Sequence, residues 1–162
     1  MIAARILART AARTSVRALS EAAAPSGLSI KFVLPHKTVY ENVTVDSVIV
    51  PGAAGEFGLT ANHSPVLAEL KPGVMKIMHN GGDVEEYFVS GGFCIGHDDS
   101  TADITCPEAV KLDELDEAAI RATFASASAD LANVAEGSAD AADAKIAVET
   151  TKAMAAAIGI TL

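Results

Sequence analysis

Between Val50 and Phe93 the chain is broken every few residues by glycine or proline, which leaves room only for short strands joined by tight turns. The turn-forming pieces are Pro51-Gly52, Gly55, Gly58, Asn62-His63-Ser64-Pro65, Lys71-Pro72-Gly73, Asn80-Gly81-Gly82 and Gly91-Gly92. Alternation on either side supports this. Ile30, Phe32 and Leu34 alternate with Ser29, Lys31 and Val33, giving a strand with one buried face. Val43 and Val45 alternate with Thr44 and Asp46, after which the apolar phase shifts to Val48 and Val50. That shift predicts a bulge or a bend between sheets near Asp46-Ser47. Val74 to His79 and Val84 to Val89 flank Asn80-Gly81-Gly82 and predict a hairpin. Ala102, Ile104 and Cys106 face one way, Thr101, Asp103 and Thr105 the other. Two packed antiparallel sheets suit strands this short, and no helical crossover pattern lies between them.

The composition changes near Pro107 to Asp113. Leu112 to Leu162 holds no proline, is crowded with alanine, and has glycine only at Gly137 and Gly159. Asp116 predicts an N-cap, with Leu115 placed to staple onto Ile120. Ile120, Phe124, Ala127, Leu131 and Val134 recur at alternating spacings of four and three, a heptad-like seam. Gly137 predicts a stop, and Ser138 caps a second helix with Asp140 in its first turn. The second seam, Ala144, Val148, Thr151, Ala155 and Ile158, is mostly small, so the hairpin needs other surface to stay folded. The predicted class is α+β, mainly β. An antiparallel β-sandwich over 28–110 is followed by a two-helix antiparallel hairpin over 111–162.

The ordered motifs PG…GEFG, NHSP, LKPGV and YFVSGGF resemble those of the F-type ATP synthase subunit called epsilon in bacteria and delta in mitochondria. From about Leu28 to the C-terminus the order of elements also matches. The resemblance implies a non-catalytic rotor piece that binds the gamma subunit of the central stalk and rests on the c-ring. Mitochondrial members also hold a very small stalk subunit named epsilon there. Loops at one end of the sandwich are the expected ring or stalk contacts, with Glu41, Asn42, Glu56, Phe57, Asn62, His63 and Ser64 as candidates. One family feature departs. Some bacterial relatives bind ATP through an aspartate separated from Arg-Ala by two intervening residues, whereas four residues separate Asp116 from Arg121 here, turning the arginine to another helix face. ATP sensing is therefore not expected.

The first 19 residues carry Arg5, Arg9, Arg13 and Arg17 at steps of four, with no acidic residue before Glu21. At ~100° per residue each step advances the charge only about 40°, so the four form one stripe of a helix. A basic, acid-free amphipathic segment is the signature of a mitochondrial presequence, and few hydroxyl residues argue against a chloroplast one. Arg17-Ala18-Leu19-Ser20 predicts cleavage after Leu19, with 20–27 as a linker. The expected location is the matrix side of the mitochondrial inner membrane. Without the presequence, eight of the 12 basic residues would remain against 21 acidic ones, a net charge of −13. Such a surface repels nucleic-acid phosphates and anionic lipid headgroups. No apolar run approaches the ~18 residues needed to span a bilayer.

The chemistry-bearing residues do not assemble into a site. His36, His63, His79 and His97 are scattered among turns and strand ends with no second ligand at helical spacing. His97-Asp98-Asp99 reads as a polar turn. Cys94 and Cys106 read as two small buried thiols. Gly52-Ala53-Ala54-Gly55-Glu56-Phe57-Gly58 lacks the lysine and hydroxyl residue of a phosphate loop. Asn42-Val43-Thr44 matches a glycosylation sequon that an imported protein never presents to that machinery. Asp98, Asp99 and Glu108 make no acid–base pair. No catalytic, cofactor-binding or metal-binding residue is predicted. The alternative is a free-standing β-sandwich ligand-binding module, which would call for an exposed aromatic platform, yet the chain has no Trp and only Tyr40 and Tyr87. A hydrolase would need a convergent polar site.

Overall fold

The computed structural model describes residues 27–135 and 137–162; the arginine-bearing segment and its cleavage point lie outside them. Ten strands come first: β1 (Leu28–Leu34), β2 (Lys37–Val45), β3 (Ser47–Gly52), β4 (Gly55–Thr60), β5 (Val66–Leu70), β6 (Gly73–Met78), β7 (Val84–Val89), β8 (Gly92–Gly96), β9 (Thr101–Thr105) and β10 (Ala109–Lys111). A short 3-10 turn, Leu112–Glu114, leads into α1 (Glu117–Asn133) and α2 (Ala139–Ala157).

The strands pair along one path, β10-β7-β6-β3-β5-β8-β9-β1-β2, with β4 on the other side of β3. The path doubles over at β3 and β5, which meet only at Gly52 opposite Leu70. Each half then faces the other. Leu28, Ile30, Phe32, Ala102, Ile104 and Cys94 from one half enclose a common core with Val48, Val50, Met75, Ile77 and Val89 from the other. Phe32 meets Tyr87 across the layers edge to face, with ring centroids 5.7 Å apart. The sandwich is therefore one folded sheet rather than two separate ones. Its pairing is antiparallel except between β1 and β9, which run parallel because the chain returns beside its first strand by a long route.

The phase shift at Asp46-Ser47 is where the chain leaves one layer for the other: β2 ends at Val45 on one edge, and β3 begins at Ser47 in the opposite half. The β6–β7 hairpin closes through Gly81 at φ 115° and Gly82 at φ 94°, backbone that side chains rarely adopt. His79 N–H donates to the Asp83 carbonyl at 2.8 Å and fixes the register.

Alternation places Tyr87 and Val89 toward the core and Phe88 on the outer face of β7, yet Phe88 is also fully buried. That outer face is covered, and α2 is the helix that packs against β6 beside it. Asp116 caps α1 by accepting from Ala118 N–H at 2.8 Å, and Ser138 caps α2 by accepting from Ala141 N–H at 3.1 Å. Gly137 takes φ 85° in the intervening turn. The helical seam is thinner than its spacing predicts. Ile120 and Ala127 are buried on α1, but Phe124 is only half-buried and Leu131 is exposed. The partners on α2, namely Ala144, Val148, Thr151 and Ala155, are small, so they leave large side chains opposite them partly uncovered.

Candidate functional site

The sequence-derived candidates do not converge on one end of the sandwich. Glu56 and Phe57 begin β4, beside the Gly52–Gly55 turn. Asn62, His63 and Ser64 lie in the turn after β4. Six residues of extended chain separate Glu56 from Asn62, about 20 Å at ~3.3 Å per residue. Asn62 N–H donates to Ser100 Oγ at 2.9 Å, so its turn adjoins the His97–Ser100 loop. His63 stays beside the backbone, its Nδ1 2.6 Å from the Ser64 carbonyl oxygen. Glu41 and Asn42 sit elsewhere again, on the edge strand β2. There Asn42 takes φ 55° at a register shift against β1. Glu41, Asn42, Glu56, Asn62 and Ser64 are exposed, while Phe57 and His63 are half-buried.

Two features escaped the sequence reading. The first is an apolar stripe on the outer face of the β5–β8 pair. Leu67 stands opposite Ile95, and Glu69 opposite Phe93, so all three apolar side chains share that face. Leu67 is 70% exposed and Phe93 55%. Alternation within FCIG places Cys94 inside and Phe93 and Ile95 outside, but nothing local says which face meets the core. The second is a polar knot where the open edges of the two layers meet. Tyr40 of β2 donates to Glu85 Oε2 at 2.6 Å, and Tyr87 donates to the same oxygen at 2.9 Å. Lys111 Nζ lies 3.4 Å from that oxygen and 5.7 Å from the centre of the Tyr87 ring. The Tyr40 hydrogen bond, first among the causes, holds the Glu85 carboxyl below its ordinary range. Burial, with these hydrogen bonds, pushes both phenols up. Tyr40 and Glu85 are 45 residues apart, so no local spacing announces the knot.

Burial also sets the thiols. It pushes Cys94 up to about 12 and Cys106 up to about 11, so both remain protonated and poor nucleophiles at neutral pH. Both are free. Among the described residues no three His, Cys, Asp or Glu side chains gather closely enough to hold a metal ion. No helix among them is long and apolar enough to cross a membrane. Exposed apolar and polar surfaces on a braced sandwich suit contact with other proteins.

Residues 27–112, the whole sandwich and the turn after it, match the family model described as ATP synthase, Delta/Epsilon chain, beta-sandwich domain. The chain belongs to this delta/epsilon family. Relatives in the family extend the likeness beyond the sandwich. The chain is 42% identical to ATP synthase subunit delta', mitochondrial, of Ipomoea batatas over 83% of its own length, and it spans 66% of that relative. It is 40% identical to ATP synthase F(1) complex subunit delta, mitochondrial, of Dictyostelium discoideum, covering 87% of this chain and 83% of the relative. Its backbone is also similar to a chain in the cryo-EM structure of the Euglena gracilis mitochondrial ATP synthase, OSCP/F1/c-ring in rotational state 1. The TM-score is 0.77 at 25% identity, with 86% of each chain covered. A match of that extent takes in helices as well as strands of this delta/epsilon chain.

Proposed function

We propose that this delta/epsilon chain is a non-catalytic rotor subunit of the central stalk of a mitochondrial proton-translocating F-type ATP synthase. It binds gamma and the c-ring and carries ring rotation to the catalytic head as ATP is made. The observation that carries this reading is the likeness over 86% of the chain to a component of an F1/c-ring assembly. The fold supplies the mechanical reason. A sheet doubled on itself, closed by an apolar core and riveted at its open edge by Tyr40, Glu85, Tyr87 and Lys111, resists shear between its layers. Torque applied at one end then reaches the other with little loss to deformation.

Glu56 and Phe57 at one end, and Asn62, His63 and Ser64 at the other, suit a piece held between two bodies. Each group serves a different contact of the ring or stalk, and Glu41 and Asn42 lie on the flank between. The small mitochondrial epsilon subunit is a third partner. Residues 1–19 form the presequence, removed on import, and the mature subunit works on the matrix side of the inner membrane, peripheral to it. The test is native electrophoresis of mitochondrial membranes from cells carrying a tagged copy. The tag is expected to migrate with the assembled ATP synthase and to lack the first 19 residues. Migration as a free monomer in the soluble fraction would instead favour the ligand-binding module.

A further inference from the structure

The tip of the β6–β7 hairpin holds the one asparagine, among four in the chain, that is followed by glycine. Asn80, Gly81 and Gly82 are all exposed. Gly81 takes φ 115° and Gly82 φ 94°, and a Cβ on either would meet nothing within 4 Å. Two backbone hydrogen bonds close the turn around them. Gly82 N–H donates to the His79 carbonyl at 3.1 Å, and His79 N–H donates to the Asp83 carbonyl at 2.8 Å. Neither uses the Gly81 N–H, which has no hydrogen-bond acceptor among the described residues.

An asparagine side-chain amide can be attacked by the backbone nitrogen of the residue after it. The attack needs a nitrogen not already committed to a hydrogen bond and a backbone free to bend toward the side chain. Glycine, with no Cβ to crowd the approach, meets the second need, and an exposed turn tip helps with both. The other three asparagines are worse placed. Asn42 precedes Val43, which is β-branched and pairs with Ile30 in the β1–β2 ladder. Asn133 precedes Val134, also β-branched. Asn62 precedes His63, whose N–H donates to the Thr60 carbonyl at 3.3 Å, and its own N–H is held by Ser100 Oγ.

We propose that Asn80 is a site of spontaneous deamidation through a succinimide, and that its isoaspartyl product loosens the β6–β7 turn. The Gly81 nitrogen bonds to Asn80 Cγ as the Cγ–Nδ2 bond breaks, and Nδ2 leaves as ammonia with the proton that Gly81 gives up. Water then opens the cyclic imide at one of its two carbonyls. Opening at Cγ leaves aspartate on an unchanged backbone. Opening at the backbone carbonyl leaves that carbon as a free carboxylate and routes the chain through Cγ. The main chain is then longer by one carbon, about 1.5 Å, and the two short hydrogen bonds of the turn cannot both follow. His79 loses its register on Asp83, and because its Nε2 lies 3.7 Å from Glu85 Oε1, the disturbance reaches a corner of the Tyr40–Glu85 knot. This chemistry belongs to the turn itself and is independent of the rotor assignment.

The full-length protein is aged for days to weeks in warm, mildly alkaline buffer, digested and read by mass spectrometry. Isoaspartate is counted by methyl transfer from S-adenosylmethionine with an isoaspartyl methyltransferase. The peptide holding Asn80 should gain about 1 Da as its amide becomes an acid. It should do so about tenfold or more faster than the peptides holding Asn42, Asn62 and Asn133. Isoaspartate should accumulate at the same position, and Asn80→Gln should remove both signals, because the longer side chain closes its larger ring far more slowly. The His79 amide should exchange with solvent about fivefold faster in the aged protein. Fresh Asn80→Asp, with the new charge on a normal backbone, should stay within about twofold of the parent. No mass gain at Asn80, equal rates at all four asparagines, or unaltered His79 exchange in protein rich in isoaspartate would each overturn the proposal. So would a conversion that urea unfolding speeds by more than about tenfold, since the folded turn would then shield Asn80.

Discussion

At the scale of single residues, Glu85 and Gly92 matter most to the sandwich. Glu85 gathers Tyr40, Tyr87 and Lys111 onto one carboxylate, so its folded-state pKa lies below the ordinary 4.5. A depressed carboxylate adds stability that is present above its unfolded value and is lost as pH falls through the folded one. Glu85→Gln should therefore cost about 1 kcal/mol at pH 7, solvent trimming the effect because the side chain is 37% exposed. It should also flatten the loss of stability below pH 4.5. Urea midpoints at neutral and acidic pH check both; parallel curves for variant and parent would count against the knot. Gly92 has φ 133°, and a Cβ there would overlap the Thr105 carbonyl of the neighbouring strand. Gly55 has a similar φ of 141° with open space around it. Gly92→Ala is expected to cost about 3 kcal/mol or more and Gly55→Ala about 1. Thermal melts that rank them the other way would refute the steric account.

Among elements, the helical hairpin is the weak one. Its interface is built from Ile120, Ala127, Ala144, Val148 and Ala155, little apolar area compared with the sandwich core. Hydrogen exchange should find α1 and α2 opening at lower free energy than β1, β6 and β7. Ile120→Ala should cost about 2 kcal/mol or more in the hairpin, raising exchange there while strand amides keep their protection. Equal loss of protection in both parts would mean that they unfold as one unit.

For the whole molecule, shape and charge point to assembly rather than turnover. Arg121 is held by Glu117 and by the Thr161 carbonyl near the end of the chain. Isothermal titration of the full-length protein with ATP should show no micromolar binding; a clear isotherm would restore the nucleotide-sensing role. Glu56→Lys and His63→Glu should weaken two different contacts in the assembled complex, because the two residues lie near opposite ends of β4. Cross-linking that traps both to one partner would contradict this.

Local chemistry determined what each segment became. Alternation set the buried faces of β1 and β9, Asn80-Gly81-Gly82 set the hairpin, the phase change at Asp46 set the crossing between layers, and Asp116 and Ser138 set the helix starts. These signals were legible because turn geometry, pleat and capping act over a few residues. The fold back through Gly52 and Leu70 and the parallel seating of β1 on β9 were not legible. Nor were the Tyr40–Glu85 knot and the exposed stripe of Leu67, Phe93 and Ile95. Each depends on residues far apart in sequence, brought together only by burying one shared core, and no short-range rule encodes which distant partner that core selects.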